Sequence, residues 1–275
     1  MFSKVLSRSA VSVLGVVFAV SLCIGLSGSI ALAEDPPDLC GNNDEFTTDY
    51  RLEDCKFKDK GENPYFILKP GYRLVLEDPG VEKSVVTVLH DKKTIHLDGD
   101  GKKGRKIKTR VVEERESEWE NGEWVTIEIS LNYFAICKKT NAVYYFGEWS
   151  RDCEDGFGEN DECEGGADTA GSWEAGVDGA RPGLIMPGTI LLGAKYFQEI
   201  APEQEAVDRG QIEAMGLDED GEPVEDGECI KIVDTNPAEG PDTGETECPE
   251  DEKIYCPGVG LVQDEDLVLI WSGYI

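Results

Sequence analysis

The stretch from Glu118 to Phe134 reads EWENGEWVTIEISLNYF, and it decides the fold class. Its Asn121-Gly122 pair accepts the positive φ values of a type I′ turn, so the flanking residues predict a β-hairpin. Beyond the turn, apolar and polar residues alternate from Val125 to Tyr133. A period of two over that length predicts a long strand with one buried face and one wet face.

Similar strand signals continue on both sides of this hairpin. The sequence therefore predicts a mainly β protein with little helix, built as a single curved antiparallel sheet (half-barrel) or a β-sandwich of about eight to ten strands. A turn is expected at 91–94 and a loop at 179–188, while 202–215 could form a helix or a strand. Other strand signals lie at 63–68, 73–76, 84–89, 106–119, 142–147, 193–200, 230–233, 260–262 and 267–271.

The amino terminus has the features of an export signal. Lys4 and Arg8 precede an uncharged, mostly apolar run over 10–30, which ends in Ala31-Leu32-Ala33. A basic start, an apolar run and a small-x-small site are typical of a signal peptide. We expect a signal peptide at 1–33, an acidic disulfide-containing lead at 34–62, and an antiparallel β domain at 63–275 with acidic insertions near 150–172 and 236–250. The same run is long enough for an uncleaved anchor.

Export predicts a secreted or periplasmic protein with no stable membrane insertion after signal cleavage. It also predicts disulfide bonds, because thiols are oxidised in such compartments. Eight cysteines follow the signal, and their pairing is open on sequence alone. Closeness in sequence favours Cys40–Cys55, Cys153–Cys163 and Cys248–Cys256, which leaves Cys137 with Cys229.

The chain is strongly acidic, with a formal net charge of −31. Such a charge repels nucleic acid, and the sequence shows no basic stripe, so we expect no nucleic-acid partner. Crowded carboxylates could bind calcium weakly, although a solvated face that keeps the protein soluble is the favoured interpretation. We expect no other cofactor, and the metal-site candidates are Asp152, Glu154, Asp155, Glu159 and Asp161.

Aromatic residues are concentrated on adjoining predicted strands. They could line an apolar cleft that binds a hydrophobic small molecule, a lipid or a protein segment, or they could simply fill the core. No G-x-S-x-G elbow or other nucleophile motif occurs, so no catalytic residue is predicted. The candidate ligand-binding residues are Tyr133, Tyr144, Tyr145, Phe146, Trp149 and Trp173.

Several short motifs resemble those of a family of uncharacterised exported bacterial proteins. They are Asn63-Pro64-Tyr65-Phe66, Asn132-Tyr133-Phe134-Ala135-Ile136, Val143 to Glu148 (VYYFGE), Met186-Pro187-Gly188 and Gly258-Val259-Gly260-Leu261-Val262. The last is similar to the ending of secreted β half-barrel domains of unknown function. The resemblance implies a curved antiparallel sheet and defines no catalytic residues.

Three functions remain open from the sequence. We expect a non-enzymatic binding or surface module with an apolar concave sheet face. A calcium-dependent extracellular structural or adhesion protein is the first alternative. A carboxylate-dependent hydrolase is the second, because many acids in one chain bring some pair close together.

Overall fold

The computed structural model describes residues 36–99, 102–153, 155–163, 165–240 and 248–275. The predicted signal peptide at 1–33 lies outside the described residues. Within the described ranges, no helix is long and apolar enough to cross a membrane.

Eighteen strands and four short 3-10 helices make up the described chain. The 3-10 helices are Asn43–Glu45, Leu52–Asp54, Glu159–Asp161 and Pro202–Gln204. The strands are β1 Phe57–Lys58, β2 Gly61–Asn63, β3 Phe66–Leu68, β4 Tyr72–Asp78, β5 Glu82–Gly99, β6 Lys102–Glu120, β7 Glu123–Cys137, β8 Val143–Cys153, β9 Ala167–Asp168, β10 Trp173–Glu174, β11 Arg181–Met186, β12 Lys195–Phe197, β13 Glu199–Ile200, β14 Arg209–Leu217, β15 Cys229–Thr235, β16 Asp251–Cys256, β17 Gly260–Asp264 and β18 Leu267–Tyr274.

Sixteen of these strands form one antiparallel sheet, which is nearly closed and barrel-shaped. Along its main path the order is β12-β14-β15-β16-β17-β18-β4-β5-β6-β7-β8-β11-β13, and β2 pairs with β3 separately. The predicted fold class, a curved antiparallel sheet, is confirmed. The strand number exceeds the expected eight to ten because several two- and three-residue strands extend the sheet.

The predicted hairpin joins β6 to β7. Asn121 and Gly122 have φ values of 51° and 98°, as a type I′ turn requires. Just below the turn, the rings of Trp119 and Trp124 lie 4.9 Å apart in an edge-to-face arrangement. The local sequence therefore determines both the turn and the register of β6 and β7 next to it.

The turn expected at 91–94 is wrong, because β5 runs through it. An irregularity in pairing between Val88 and Lys92 absorbs the extra residues. Beyond it, Ile95 pairs with Ile107 of β6, and both side chains are buried. Burial of this pair favours a continuous ribbon over a turn.

The loop expected at 179–188 is also wrong, because Arg181–Met186 forms β11 and pairs with β8. Gly183 makes this possible, since a Cβ there would lie 1.9 Å from the Gln198 carbonyl oxygen. The ambiguous segment 202–215 contains one 3-10 turn, Pro202–Gln204, followed by strand β14.

The eight cysteines form four disulfides, a number typical of oxidising compartments. Only the predicted Cys153–Cys163 bond is confirmed. The other three predicted pairs are wrong. Pairing of β1 with β7 and of β15 with β16 brings Cys55 to Cys137 and Cys229 to Cys256. The observed bonds are Cys40–Cys248, Cys55–Cys137 and Cys229–Cys256.

The segment before β2 covers the outer face of β8. Phe57 contacts the rings of Tyr144 and Phe146 at centroid distances of 5.5 and 5.2 Å. The Cys55–Cys137 bond holds this cover in place next to β7. The acidic lead therefore belongs to the same compact unit as the sheet.

Candidate functional site: a carboxylate-rich cavity inside the sheet

The concave side of the sheet encloses a cavity of about 440 Å³. Its walls come from β3 to β8, β11, β13 and β15 to β17. A volume of this size falls within the range of about 300 to 1,000 Å³ that is usual for small-molecule sites.

The inner face of β5 to β8 changes from acidic to apolar along the strands. Side chains in register form successive rows around the wall, with about 7 Å between rows. Of the four rows, the first three contain carboxylates and the fourth contains two aromatic rings. From the acidic end, the rows are Ser84, Glu116, Glu128 and Asp152; then Val86, Glu114, Ser130 and Ser150; then Val88, Val112, Asn132 and Glu148; then Phe134 and Tyr145.

The polar face of β7, and not its apolar face, lines the cavity. Glu128, Ser130 and Asn132 face the interior, whereas Ile129 and Tyr133 are buried on the opposite side. The predicted alternation is confirmed, and the wet face is the concave one. The concave surface is consequently apolar only in part.

Hydroxyl groups hold three of the carboxylates. Ser84 donates to Glu114 at 2.9 Å, and Ser150 donates to Glu128 at 2.9 Å. The Tyr145 hydroxyl lies 2.7 Å from a carboxylate oxygen of Glu148 and also contacts the side-chain oxygen of Asn132, so these two acceptors share its single hydrogen. These bonds fix the directions of the carboxylates before any ligand arrives.

Burial and mutual repulsion raise the pKa values of the carboxyl groups in the cavity. Burial and the nearby Glu114 and Glu128 carboxylates raise the pKa of Glu116 to about 8. Burial is also the main cause that raises the pKa of Glu128 and of Glu148 to about 7. Glu116 makes no side-chain hydrogen bond or salt bridge with another described residue.

Lys253 on β16 supplies an ammonium group to the cavity wall. Its Nζ lies 3.1 Å from Asp264 and 3.8 Å from Asp234, while Gln198 donates to Asp234 at 2.7 Å. Burial alone would lower the pKa of Lys253, but Asp264 and Asp234 outweigh it and hold that pKa well above its ordinary value. The Lys253 site shows how this cavity accommodates a cation.

A β-bulge at Gly147 positions the aromatic end of the cavity. Asn132 pairs with Glu148 and Phe134 pairs with Tyr145, so β8 contains one extra residue between these pairs. Gly147 has a φ of 133°, and a Cβ there would lie 2.4 Å from the Trp173 carbonyl oxygen. The bulge allows Tyr145 and Glu148, three residues apart, to face the same cavity.

Of the six aromatic residues predicted to bind a ligand, only Tyr145 lines this cavity. Trp173 packs behind it with a ring distance of 5.3 Å, so it supports the wall without facing the interior. Tyr144 and Phe146 lie on the opposite face of β8 and contact Phe57.

The other two predicted aromatics are also outside the cavity. The ring of Tyr133 lies 5.3 Å from the Nζ of Lys93, on the outer side of the sheet. Trp149 is 36% exposed. The aromatic cluster seen in the sequence is thus divided between the two faces of the sheet.

The predicted metal candidates do not converge in the described part of the chain. Asp161 instead accepts two hydrogen bonds from Arg115, at 2.9 and 2.8 Å, and these bonds lower the pKa of Asp161. Asp152 lies on β8 opposite Glu128, and Asp155 lies in the following loop. Glu154 and the side chain of Glu159 lie outside the described residues.

No group of three or more His, Cys, Asp or Glu residues within the described ranges is arranged to hold a metal ion. Calcium binding by the acidic loops remains a prediction.

Sequence reasoning missed the carboxylates that characterise the cavity. The sequence did contain one indication that these residues line the interior, because Glu114 and Glu116 share a strand face with Val112. Alternating charges, however, normally indicate a solvent-facing surface. The remaining acids of the wall come from distant segments. They include Glu199, Asp208, Asp234, Asp251 and Asp264.

Comparisons with protein-family models, curated proteins and solved structures give no match to this chain. The resemblance to exported bacterial proteins therefore remains a prediction.

Proposed function

We propose that the protein is an exported, non-enzymatic binding module whose cavity takes a small organic cation with an apolar body. The observation that carries this proposal is the gradient along the inner wall, from paired carboxylates at Glu116 and Glu128 to the rings of Phe134 and Tyr145. A molecule with an ammonium group at one end and a hydrocarbon or aromatic body at the other matches both ends of the wall.

Charge supports a cation in preference to an anion or a neutral lipid. Lys253 is paired with Asp264 and Asp234, and Glu114, Glu116, Glu128 and Glu148 have no salt bridge to a described basic residue. The raised pKa values of Glu116, Glu128 and Glu148 mean that protons partly neutralise these three groups near neutral pH. A ligand ammonium would replace those protons, so cation binding would release protons and strengthen as the pH rises from about 6 to about 8.

Export is part of the same proposal. The signal-like sequence at 1–33 and the four disulfides support it. A cavity that is already formed can bind its ligand without an energy source. This property suits a binding module outside the cytoplasm. Mass spectrometry of the purified protein under native conditions would identify a ligand that co-purifies.

A matched set of probes tests the ligand class. Octylamine, octanol and octanoate have the same apolar chain with a positive, neutral or negative head. We expect octylamine alone to raise the melting temperature at about pH 8, because a ligand that binds the native state stabilises it. The Glu116→Gln/Glu128→Gln double variant should lose most of this response. Equal stabilisation by octanol would contradict the proposal, as would stabilisation by octanoate.

A carboxylate-dependent hydrolase is the second candidate, and the observation that favours it is Glu148. Its pKa of about 7 and its hydrogen bond from Tyr145 suit a general acid or base. Turnover of a glycoside or ester substrate that Glu148→Gln abolishes, with the melting temperature unchanged, would favour this candidate over the binding module.

A further inference from the structure

Half of the basic residues in this acidic chain occur in four short segments. The segments are 56–60, 92–93, 102–110 and 138–139, and they contain 13 of the 26 lysines and arginines but only one acidic residue, Asp59. The segments are far apart in sequence. No single one of them stands out as a basic stripe.

Specific contacts in the fold bring these segments together. The Arg105 guanidinium donates to the carbonyl oxygen of Leu52 at 2.5 Å and also to that of Cys55. The backbone N–H of Lys138 donates to the carbonyl oxygen of Lys56 at 2.9 Å. The Cys55–Cys137 bond joins the residues that precede these two lysines. The segments that begin at 56, 102 and 138 are therefore neighbours.

Asp59 connects the remaining segment. Its carboxylate lies 2.6 Å from Lys92 and 2.9 Å from Arg110. One carboxylate thus serves two cations, and Arg110 is buried beneath it. Lys93 is also paired, with its Nζ 2.9 Å from a carboxylate oxygen of Glu174. After these pairings the four segments still contain more basic residues than acidic partners.

The outer half of the β5–β6 ribbon exposes part of this excess. Lys106 pairs with His96, and Lys108 pairs with Thr94, and all four side chains are exposed. The reverse side of the ribbon is anchored, because Ile95 and Ile107 are buried there. No carboxylate of another described residue lies within salt-bridge distance of Lys106 or Lys108. Lys56, Lys138 and Lys139 are exposed residues of the neighbouring segments. We call these five lysines together the basic face.

We propose that the basic face binds a linear phosphate polymer. Lysine ammonium groups bind phosphate as point charges, and alternate residues on a strand place such charges about 7 Å apart along a line. A linear chain can follow that line. The site is separate from the cavity and does not depend on what the cavity binds.

The charge of the rest of the protein favours a thin polymer over a broad partner. At physiological salt, charges interact strongly only within about 8 Å. A chain that lies along the ribbon keeps its phosphates within that distance of the lysines. A second copy of this protein, or a flat anionic membrane, would also bring its negative charges against the acidic remainder of the surface.

The binding of fluorescently labelled long-chain inorganic polyphosphate to the full oxidised chain tests the proposal, with anisotropy measured at about 50 and about 200 mM salt. The Lys106→Gln/Lys108→Gln variant should lose at least about tenfold in affinity, and the dependence of log K on log salt should fall by about two. Both residues are exposed, so an unchanged melting temperature would show that the variant folds.

The matched control is Lys69→Gln/Lys195→Gln. Lys69 and Lys195 form surface ion pairs with Glu62 and Glu45, outside the basic face. This variant therefore removes the same amount of positive charge. The control should bind polyphosphate as the parent protein does. A second variant, Lys138→Gln/Lys139→Gln, should also lose affinity, because it removes charge from another part of the same face.

Three results would overturn the proposal. The first is no binding of polyphosphate at about 50 mM salt. The second is equal loss of affinity in the control and in the Lys106/Lys108 variant. The third is tighter binding to a sulfated polysaccharide, to a single-stranded oligonucleotide or to anionic vesicles, or self-association of the protein in their absence. Octylamine binding is measured separately, so failure of one site is distinguished from failure of the other.

Discussion

Glu116 on β6 and Glu128 on β7 are directly opposite each other, and both face the interior of the sheet. Like charges at directly paired positions destabilise a sheet. Here the raised pKa values, about 8 and about 7, show that protons relieve the repulsion in the folded state. The pair thus links the stability of the fold to pH and to any cation that enters the cavity.

The first prediction concerns pH. The pKa of Glu116 is higher in the folded state than in the unfolded state, so its contribution to stability is present at low pH and is lost as the pH rises through about 8. We expect the melting temperature without ligand to fall between about pH 5 and about pH 8. Glu116→Gln should raise the free energy of unfolding at about pH 8 by about 1–3 kcal/mol and change it little at about pH 5.

The control for this prediction is Glu118→Gln, which removes the same charge from an exposed position on the same strand. Denaturant unfolding at both pH values gives the comparison. Equal effects of the two variants at about pH 8 would show that net charge, and not the buried pair, is responsible.

The second prediction concerns Lys253. Lys253→Met leaves Asp234 and Asp264 without their ammonium partner in a partly buried site. We expect a loss of about 3–5 kcal/mol at about pH 8, because an uncompensated buried charge is costly. The loss should shrink at about pH 5, because burial raises the pKa of Asp234 to about 7 and this carboxyl group takes up a proton there.

Lys231→Met is the matched comparison, since Lys231 pairs with Glu213 and Glu252 at the surface. Its effect should be no more than about 1 kcal/mol. Urea unfolding curves of the two variants check the difference, and similar losses would refute the assigned role of Lys253.

The third prediction concerns the bulge. Gly147→Ala combines a φ of 133° with a clash against the Trp173 carbonyl oxygen. We expect a loss of about 2–4 kcal/mol and a weaker response to octylamine, because Tyr145 and Glu148 would be displaced. Gly80→Ala is the control: Gly80 also has a positive φ, but a Cβ there would meet no atom within 4 Å. Thermal unfolding of both variants separates steric clash from backbone strain.

The fourth prediction compares two disulfides. Cys55–Cys137 spans 82 residues and holds Phe57 against Tyr144, whereas Cys153–Cys163 spans 10. Replacing Cys55 and Cys137 by serine should cost about 2–5 kcal/mol, and the same change at Cys153 and Cys163 should cost less. Chemical denaturation of the two double variants tests this order, and the reverse order would show that the N-terminal cover contributes little.

Local patterns predicted the parts of the fold that depend on local interactions. The Asn121-Gly122 turn and the alternation from Val125 to Tyr133 are confirmed, because a turn type and a period of two are properties of adjacent residues. The Cys153–Cys163 bond is confirmed for the same reason. Predictions were wrong where a contact with another segment determines the local structure. An example is β11, whose pairing requires the close approach of Gly183 to Gln198.

The candidate site was mostly beyond sequence reasoning. Alternation identifies residues that share a face, but it does not say which face becomes concave. Glu128 and Asn132 were assigned to the solvent side and line the cavity, whereas Tyr144 and Phe146 were assigned to a cleft and pack against Phe57. Closure of the sheet determines which face becomes concave, and closure depends on all the strands together.

The Cys40–Cys248 bond has a consequence for biosynthesis. A ribosome makes Cys40 first and adds 208 further positions before its partner exists. Cys55 becomes available much sooner, so an early bond between these two thiols would need later exchange. We therefore expect maturation of this protein to depend on a disulfide isomerase.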